Sequence, residues 1–235
     1  MTAEERKIRI RWGRLVVFAV LVITLTGAGA TAVSLGAQQM MGHARSSGRI
    51  ASVPEISYHS STDADADGID DQLDFLMGVR AYLDTAPVYQ SVYYEGGWPT
   101  DGYGVCTDVV AQGMLAAGYD LQQLIAEDIA VAPEAYPVET PDSNIDFRRV
   151  RNQAVWLNRH CITLSTQLDP EDLSDWQPGD IVVFGENEHI GVVSDRVNED
   201  GIPLLLHNGS PLQRSYEEDK LLLHSDEITG HYRIS

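Results

Sequence analysis

Gly102-Tyr103-Gly104-Val105-Cys106-Thr107-Asp108 is the stretch on which the fold turns. Glycines on either side of Tyr103 mark a bending loop. From Cys106 onward the apolar residues Val110, Met114 and Ala117 recur at helical spacing until Gly118, a C-terminal stop. The cysteine therefore opens a helix. Free N–H groups and the dipole at a helix start favour the thiolate over the thiol. The two glycines let the backbone approach a substrate, with the Cys106 N–H available to an oxyanion. The pattern points to a nucleophile; the competing reading is a small buried hydrophobe.

Upstream, Tyr93-Tyr94-Glu95-Gly96-Gly97-Trp98-Pro99 forms an irregular aromatic loop, and Trp98 and Tyr103 are candidate walls of a cleft beside the cysteine. Before it, Leu73, Leu76, Val79 and Leu83 describe a core-facing helix that Pro87 ends. That helix follows Asp63-Ala-Asp-Ala-Asp-Gly-Ile-Asp-Asp-Gln-Leu-Asp74, where acidic residues at alternate positions surround a glycine at the sixth. Oxygen ligands so spaced wrap a hard cation. Asp63, Asp65, Asp67, Asp71 and Asp74, with the carbonyl of Ile69, are the candidate ligands of a structural calcium ion. The loop resembles thrombospondin type 3 calcium loops more than an EF-hand, since its last position is not Glu. A solvated acidic linker that caps the helix is the alternative.

Downstream, Asp120 caps a second helix over Leu121 to Ala130. Pro141 to Asn152 gathers Arg148, Arg149 and Arg151 within an acidic region and leads into an amphipathic helix through Val150, Ala154 and Leu157. Guanidinium groups grip carboxylates bidentately, so Arg148 and Arg149 are candidate contacts for an anionic substrate, with the domain's own aspartates as the competing partners. The period then changes to that of strands: Ile181 to Phe184 after the Trp176-to-Asp180 turn, His189 to Ser194, Pro203 to His207, and Tyr232 to Ile234. A hairpin turn at Asn198 to Gly201 sets His207 opposite roughly His189 to Val192. Cysteine at a helix start and two histidines on paired strands make a nucleophilic site: Cys106 attacks, His189 is base and then acid, and His207 orients His189, with Asn208 in reserve.

The 235 residues carry 16 basic and 35 acidic side chains, a net charge of −19, which excludes nucleic acid as a natural partner. Residues 1–14 hold five of those basic residues and form a cytoplasmic tail. Residues 15–37 carry no charge and are long enough to span a bilayer as a helix, with a removable signal peptide as the alternative. A Ser- and Gly-rich linker over 38–62, the acidic loop at 63–74 and one domain over 75–235 complete the chain. The domain is expected on the outer side of the cell membrane, or secreted if the leader is cut. There Cys106 and Cys161 are free to pair or to remain thiols.

The order YGVCTDVV, WQPGDIVVF, HIGVVSD, LLLHNG and ITGHYR resembles the YijF-like family of bacterial domains of unknown function over about Asp67 to Ser235. More remotely it is similar to NlpC-type cell-wall cysteine peptidases, through Cys106, Pro178-Gly179-Asp180, His189 and His207. Thr107 and Asp108 stand where those enzymes usually carry serine and glycine. The resemblance implies an α+β, papain-like fold, with N-terminal helices packed on a small antiparallel sheet behind one transmembrane helix. It also implies hydrolysis of amide bonds in cell-wall peptides, with no organic cofactor.

Overall fold

The computed structural model describes residues 57–235. The tail at 1–14, the membrane segment at 15–37 and most of the linker expected from the sequence lie outside the described residues. No helix among the described residues is long and apolar enough to cross a membrane.

Helix α1, Asp71–Asp84, starts where the Asp70 carboxylate accepts the Leu73 N–H, and it buries Phe75, Leu76, Val79 and Leu83. A short parallel pair, β1 (Val88–Tyr89) and β2 (Tyr103–Gly104), brings the chain to helix α2, Cys106–Ala116. Gly118, at φ +85°, ends α2: its N–H bonds to Leu115 and that of Tyr119 to Met114, which satisfies the last carbonyls. Helix α3, Leu121–Val131, is capped by Asp120, and α4, Val150–His160, follows a 3₁₀ turn at Asp146–Arg148.

The rest is an antiparallel sheet of six strands: β3 (Ile162–Thr163), β4 (Ile181–Phe184), β5 (His189–Val197), β6 (Pro203–Leu206), β7 (Glu217–Glu218) and β8 (Ile228–Arg233), in the order β3-β8-β4-β5-β6-β7. The expected α+β class with a small antiparallel sheet is what forms. Alternation along the strands divides the core. Ile181, Val183, Ile190, Val192 and Leu206 pack under the helices with Phe75, Val109 and Phe147. Val182, Phe184, Val193 and Leu205 face the other way, under Trp176, Leu221 and Ile228. Sequence periodicity missed β3 and β7, two-residue edge strands too short to show alternation.

One polar cluster lies fully inside. Asp180 accepts Arg233 Nε at 2.7 Å and Nη2 at 2.8 Å, stands 2.9 Å from His231 Nε2, and takes the Gln177 N–H of its own turn. Trp176 stacks on His231 at 4.0 Å. Two quoted motifs, WQPGD and GHYR, are thus one structural lock joining the entry to β4 with the end of the chain.

Candidate active site

Cys106 occupies the first position of α2, partly buried against the main core. Its neighbours explain the two residues that depart from the peptidase pattern. Thr107 turns inward, its hydroxyl donating to the Arg148 carbonyl at 3.1 Å, while Gln153 Nε2 donates to the Thr107 carbonyl at 3.0 Å. Asp108 is fully buried and accepts the Val105 N–H as well as Arg148 Nε at 2.6 Å and Nη2 at 2.9 Å. Its charge is thereby paired with that of Arg148, which reduces its effect on the thiol without removing it. Both residues fasten the start of α2 to the 3₁₀ turn before α4.

This corrects the expected role of Arg148. Its side chain is 2% exposed, gives a further bond to the Val92 carbonyl and lies 5.1 Å from the Tyr94 ring, so it is withdrawn from the surface and paired with the domain's own aspartate. Arg149 is half-exposed and stands 3.4 Å from Asp146. Trp98 packs on Phe147, with ring centroids 4.9 Å apart, and Tyr103 is half-buried on β2. Asn208, the reserve partner for His189, donates instead to the carbonyls of Pro87 and Gly104, pinning the loop two residues before the cysteine.

The histidines do meet. Val192 pairs with Leu206 and Val193 with Leu205, which sets His207 beside the first residues of β5. Nε2 of His189 lies 2.9 Å from Nδ1 of His207. The backbone of Gly209 passes against both rings: a Cβ there would stand 2.8 Å from Cε1 of His189 and 2.9 Å from Nδ1 of His207. On the far side, Nε2 of His207 is 3.3 Å from a Glu218 oxygen, outside hydrogen-bond alignment. Gly209 and Glu218 were missed in the sequence. The first looks like one more turn glycine, and the second lies on an unrecognised edge strand.

The Glu218 carboxylate favours the proton of a neutral His207 on Nε2, so that Nδ1 accepts from His189 Nε2–H. Nδ1 of His189 then carries the free lone pair, the state a general base requires. Burial holds both rings neutral, lowering His189 to about 4 with help from His224, and His207 to about 3 with help from His189, Lys220 and His224.

The sulfur and the rings approach β5 from different sides. Cys106 packs against the main core, and Ile190 faces the helices in that same core. His189 pairs with Phe184, and both line a cleft of about 400 Å³ with Leu205, His207 and Glu218 that Cys106 does not line. Among the described residues no hydrogen bond joins the sulfur to either ring. Burial pushes the thiol up to about 11 against the pull of the Ile190 and Thr107 backbone N–H groups, with Asp108 adding to the rise. Both cysteines are free.

In the acidic loop, Asp63, Asp65 and Asp67 each bring one carboxylate oxygen within 4.8 Å of the others. Asp71, expected beside them, is committed elsewhere: it accepts the Ala64 N–H at 2.7 Å and the hydroxyls of Thr62 and Tyr119. It anchors the loop to α1.

Residues 77–234 match the family described as Domain of unknown function (DUF1287). The chain is 42% identical over 155 residues to the "Uncharacterized protein YijF" of Escherichia coli (strain K12), an alignment covering 63% of this chain and 72% of that one. No solved structure matches. The motifs that carried the expected YijF-like resemblance all fall within the matched residues, and the chain belongs to the DUF1287 family of YijF-like domains of unknown function.

Proposed function

We propose that the domain is a thiol hydrolase of papain-like, NlpC-type descent, cutting amide bonds in cell-wall peptides outside the membrane that residues 15–37 would span. The observation that carries this is the His189 Nε2 to His207 Nδ1 contact, one residue from Ile190, which shares the main core with Cys106 at the start of α2. In the reaction, Nδ1 of His189 takes the thiol proton while sulfur adds to the amide carbonyl. The N–H groups at the start of α2 hold the oxyanion. Collapse of the adduct breaks the C–N bond, His189 returns the proton to the leaving amine, and water then cleaves the thioester with the same base. Catalysis on these lines requires the start of β5 to shift so that His189 Nδ1 reaches the sulfur, since in the resting structure the thiol lies outside the histidine cleft.

A second reading has its own support: the cleft beside the histidines is not lined by the thiol, as suits a domain that binds an envelope peptide without cutting it. Muropeptide binding and cleavage, measured on the full chain and on C106A, H189A and H207A, separate the two. A hydrolase loses turnover in all three variants. A binding domain shows no turnover in any form, and loses affinity in H207A but not in C106A.

A further inference from the structure

We propose that the loop ahead of α1 is a calcium site made by the carboxylates of Asp63, Asp65, Asp67 and Asp74 with the main-chain carbonyl of Ile69. The three exposed aspartates already converge. Asp63 accepts the N–H groups of Asp67 and Gly68, and Asp67 accepts that of Ile69. Gly68 sits at φ +97° with open space around it, so conformation and not crowding calls for glycine. Ala66 at φ +61° takes a left-handed turn that a side chain ordinarily avoids.

Asp74 supplies an observation of a different kind. It sits on the first turn of α1, outside the converging trio, and is only 7% exposed, yet its Oδ2 has no hydrogen-bond partner. A carboxylate oxygen withdrawn from water without a donor is costly unless a positive charge meets it. Burial raises its pKa, and the charges of Asp67, Asp65 and Asp63, ahead of that of Asp71 on its own helix, add to the rise, so the unpartnered oxygen lies within the field of the loop's carboxylates. No lysine or arginine ion-pairs with any of the four proposed carboxylates among the described residues, whereas Asp71 is fully engaged by neutral donors and stays out of the set.

The ligand class follows from the donors. Four carboxylates and a carbonyl on a flexible loop suit a large, hard cation that accepts six to eight oxygens. Magnesium demands a tighter octahedron and retains its waters. The position suggests what the ion does. Ser60, just before the loop, donates to the carbonyl of Ser235, and Tyr58 donates to that of Ile234. A cation drawing Asp74 to Asp63 would therefore latch α1 to the segment that holds the end of the chain. The loop lies ahead of the matched residues 77–234, and the site does not depend on the chemistry at Cys106.

The test is calorimetric titration of CaCl₂, and separately MgCl₂, into the chelator-treated full chain, with thermal unfolding alongside. One saturable calcium site is expected, with Kd at or below about 1 mM, bound at least about tenfold more tightly than magnesium and raising Tm. D65A should abolish it, and D74N, which removes charge but keeps shape, should weaken it by about tenfold or more. D65A in chelator should unfold at the wild-type temperature, since Asp65 is exposed. Absence of saturable binding up to about 10 mM calcium, equal affinity for magnesium, or wild-type titrations from D65A and D74N would each overturn the assignment.

Discussion

Asp108 and Arg148 form a buried, two-point ion pair directly beneath the start of α2, with Nε and Nη2 at 2.6 and 2.9 Å from the two carboxylate oxygens. An unmatched charge at Asp108 would oppose thiolate formation two residues away still more strongly. Paired, it serves as the strut that fixes Cys106. Removing one partner leaves the other charge buried alone, which costs about 3–5 kcal/mol. R148A is therefore expected to lose about that much stability in urea unfolding; a loss below about 1 kcal/mol would mean that the pair does not hold the helix.

Acid should unfold the domain earlier than its carboxylates alone would require. His189 and His207 are lowered in the fold to about 4 and about 3, from an ordinary 6.5. Below 6.5 the unfolded chain takes up protons that the fold refuses, so the stability these rings contribute is present above 6.5 and is lost as pH falls toward 3 to 4. Thermal unfolding from pH 7 to 4 should show Tm falling less steeply in H207Q than in the wild type. Parallel curves would contradict the burial of that ring as a neutral group.

Thiol chemistry should follow the opposite sense. With Cys106 raised to about 11 from 9, the resting site holds a neutral thiol and, apart from it, neutral rings rather than a thiolate–imidazolium pair. Labelling by an uncharged alkylating agent should climb continuously with pH toward about 11. A plateau already established below pH 6 would show a preformed thiolate. The same rise means that stability is lost between pH 9 and 11, as the unfolded thiol ionises first.

Gly209 holds the two imidazoles together by lacking a side chain. G209A would press a methyl group into Cε1 of His189 and Nδ1 of His207. Overpacking of that kind costs about 1–3 kcal/mol. Turnover should fall further than stability, because the base loses its orienting partner. Unchanged kcat with lowered Tm would reduce His207 to a packing residue.

Much of this was legible beforehand, and for identifiable reasons. The helix opening at Cys106, its end at Gly118 and the Asp120 cap follow from local period and capping, and the β5–β6 hairpin follows from its turn, which by itself brings His207 beside His189. What failed were partnerships between distant segments. Arg148 and Asp108 are 40 residues apart, and nothing in either neighbourhood says that one is spoken for by the other. Asp71 fits a calcium spacing perfectly well, but Tyr119 and Thr62 reach it first. The side of the strand from which each group approaches β5 was likewise invisible to spacing, although it sets how far the thiol and the rings must move to react.

The most direct measurement is release of free amine from muropeptides by the full chain and by C106A, assayed side by side, with thermal unfolding confirming that the variant is folded. Release by the wild type and none by C106A is the expected result. Undiminished release in C106A, or none from the wild type, would contradict a thiol hydrolase built on Cys106, His189 and His207.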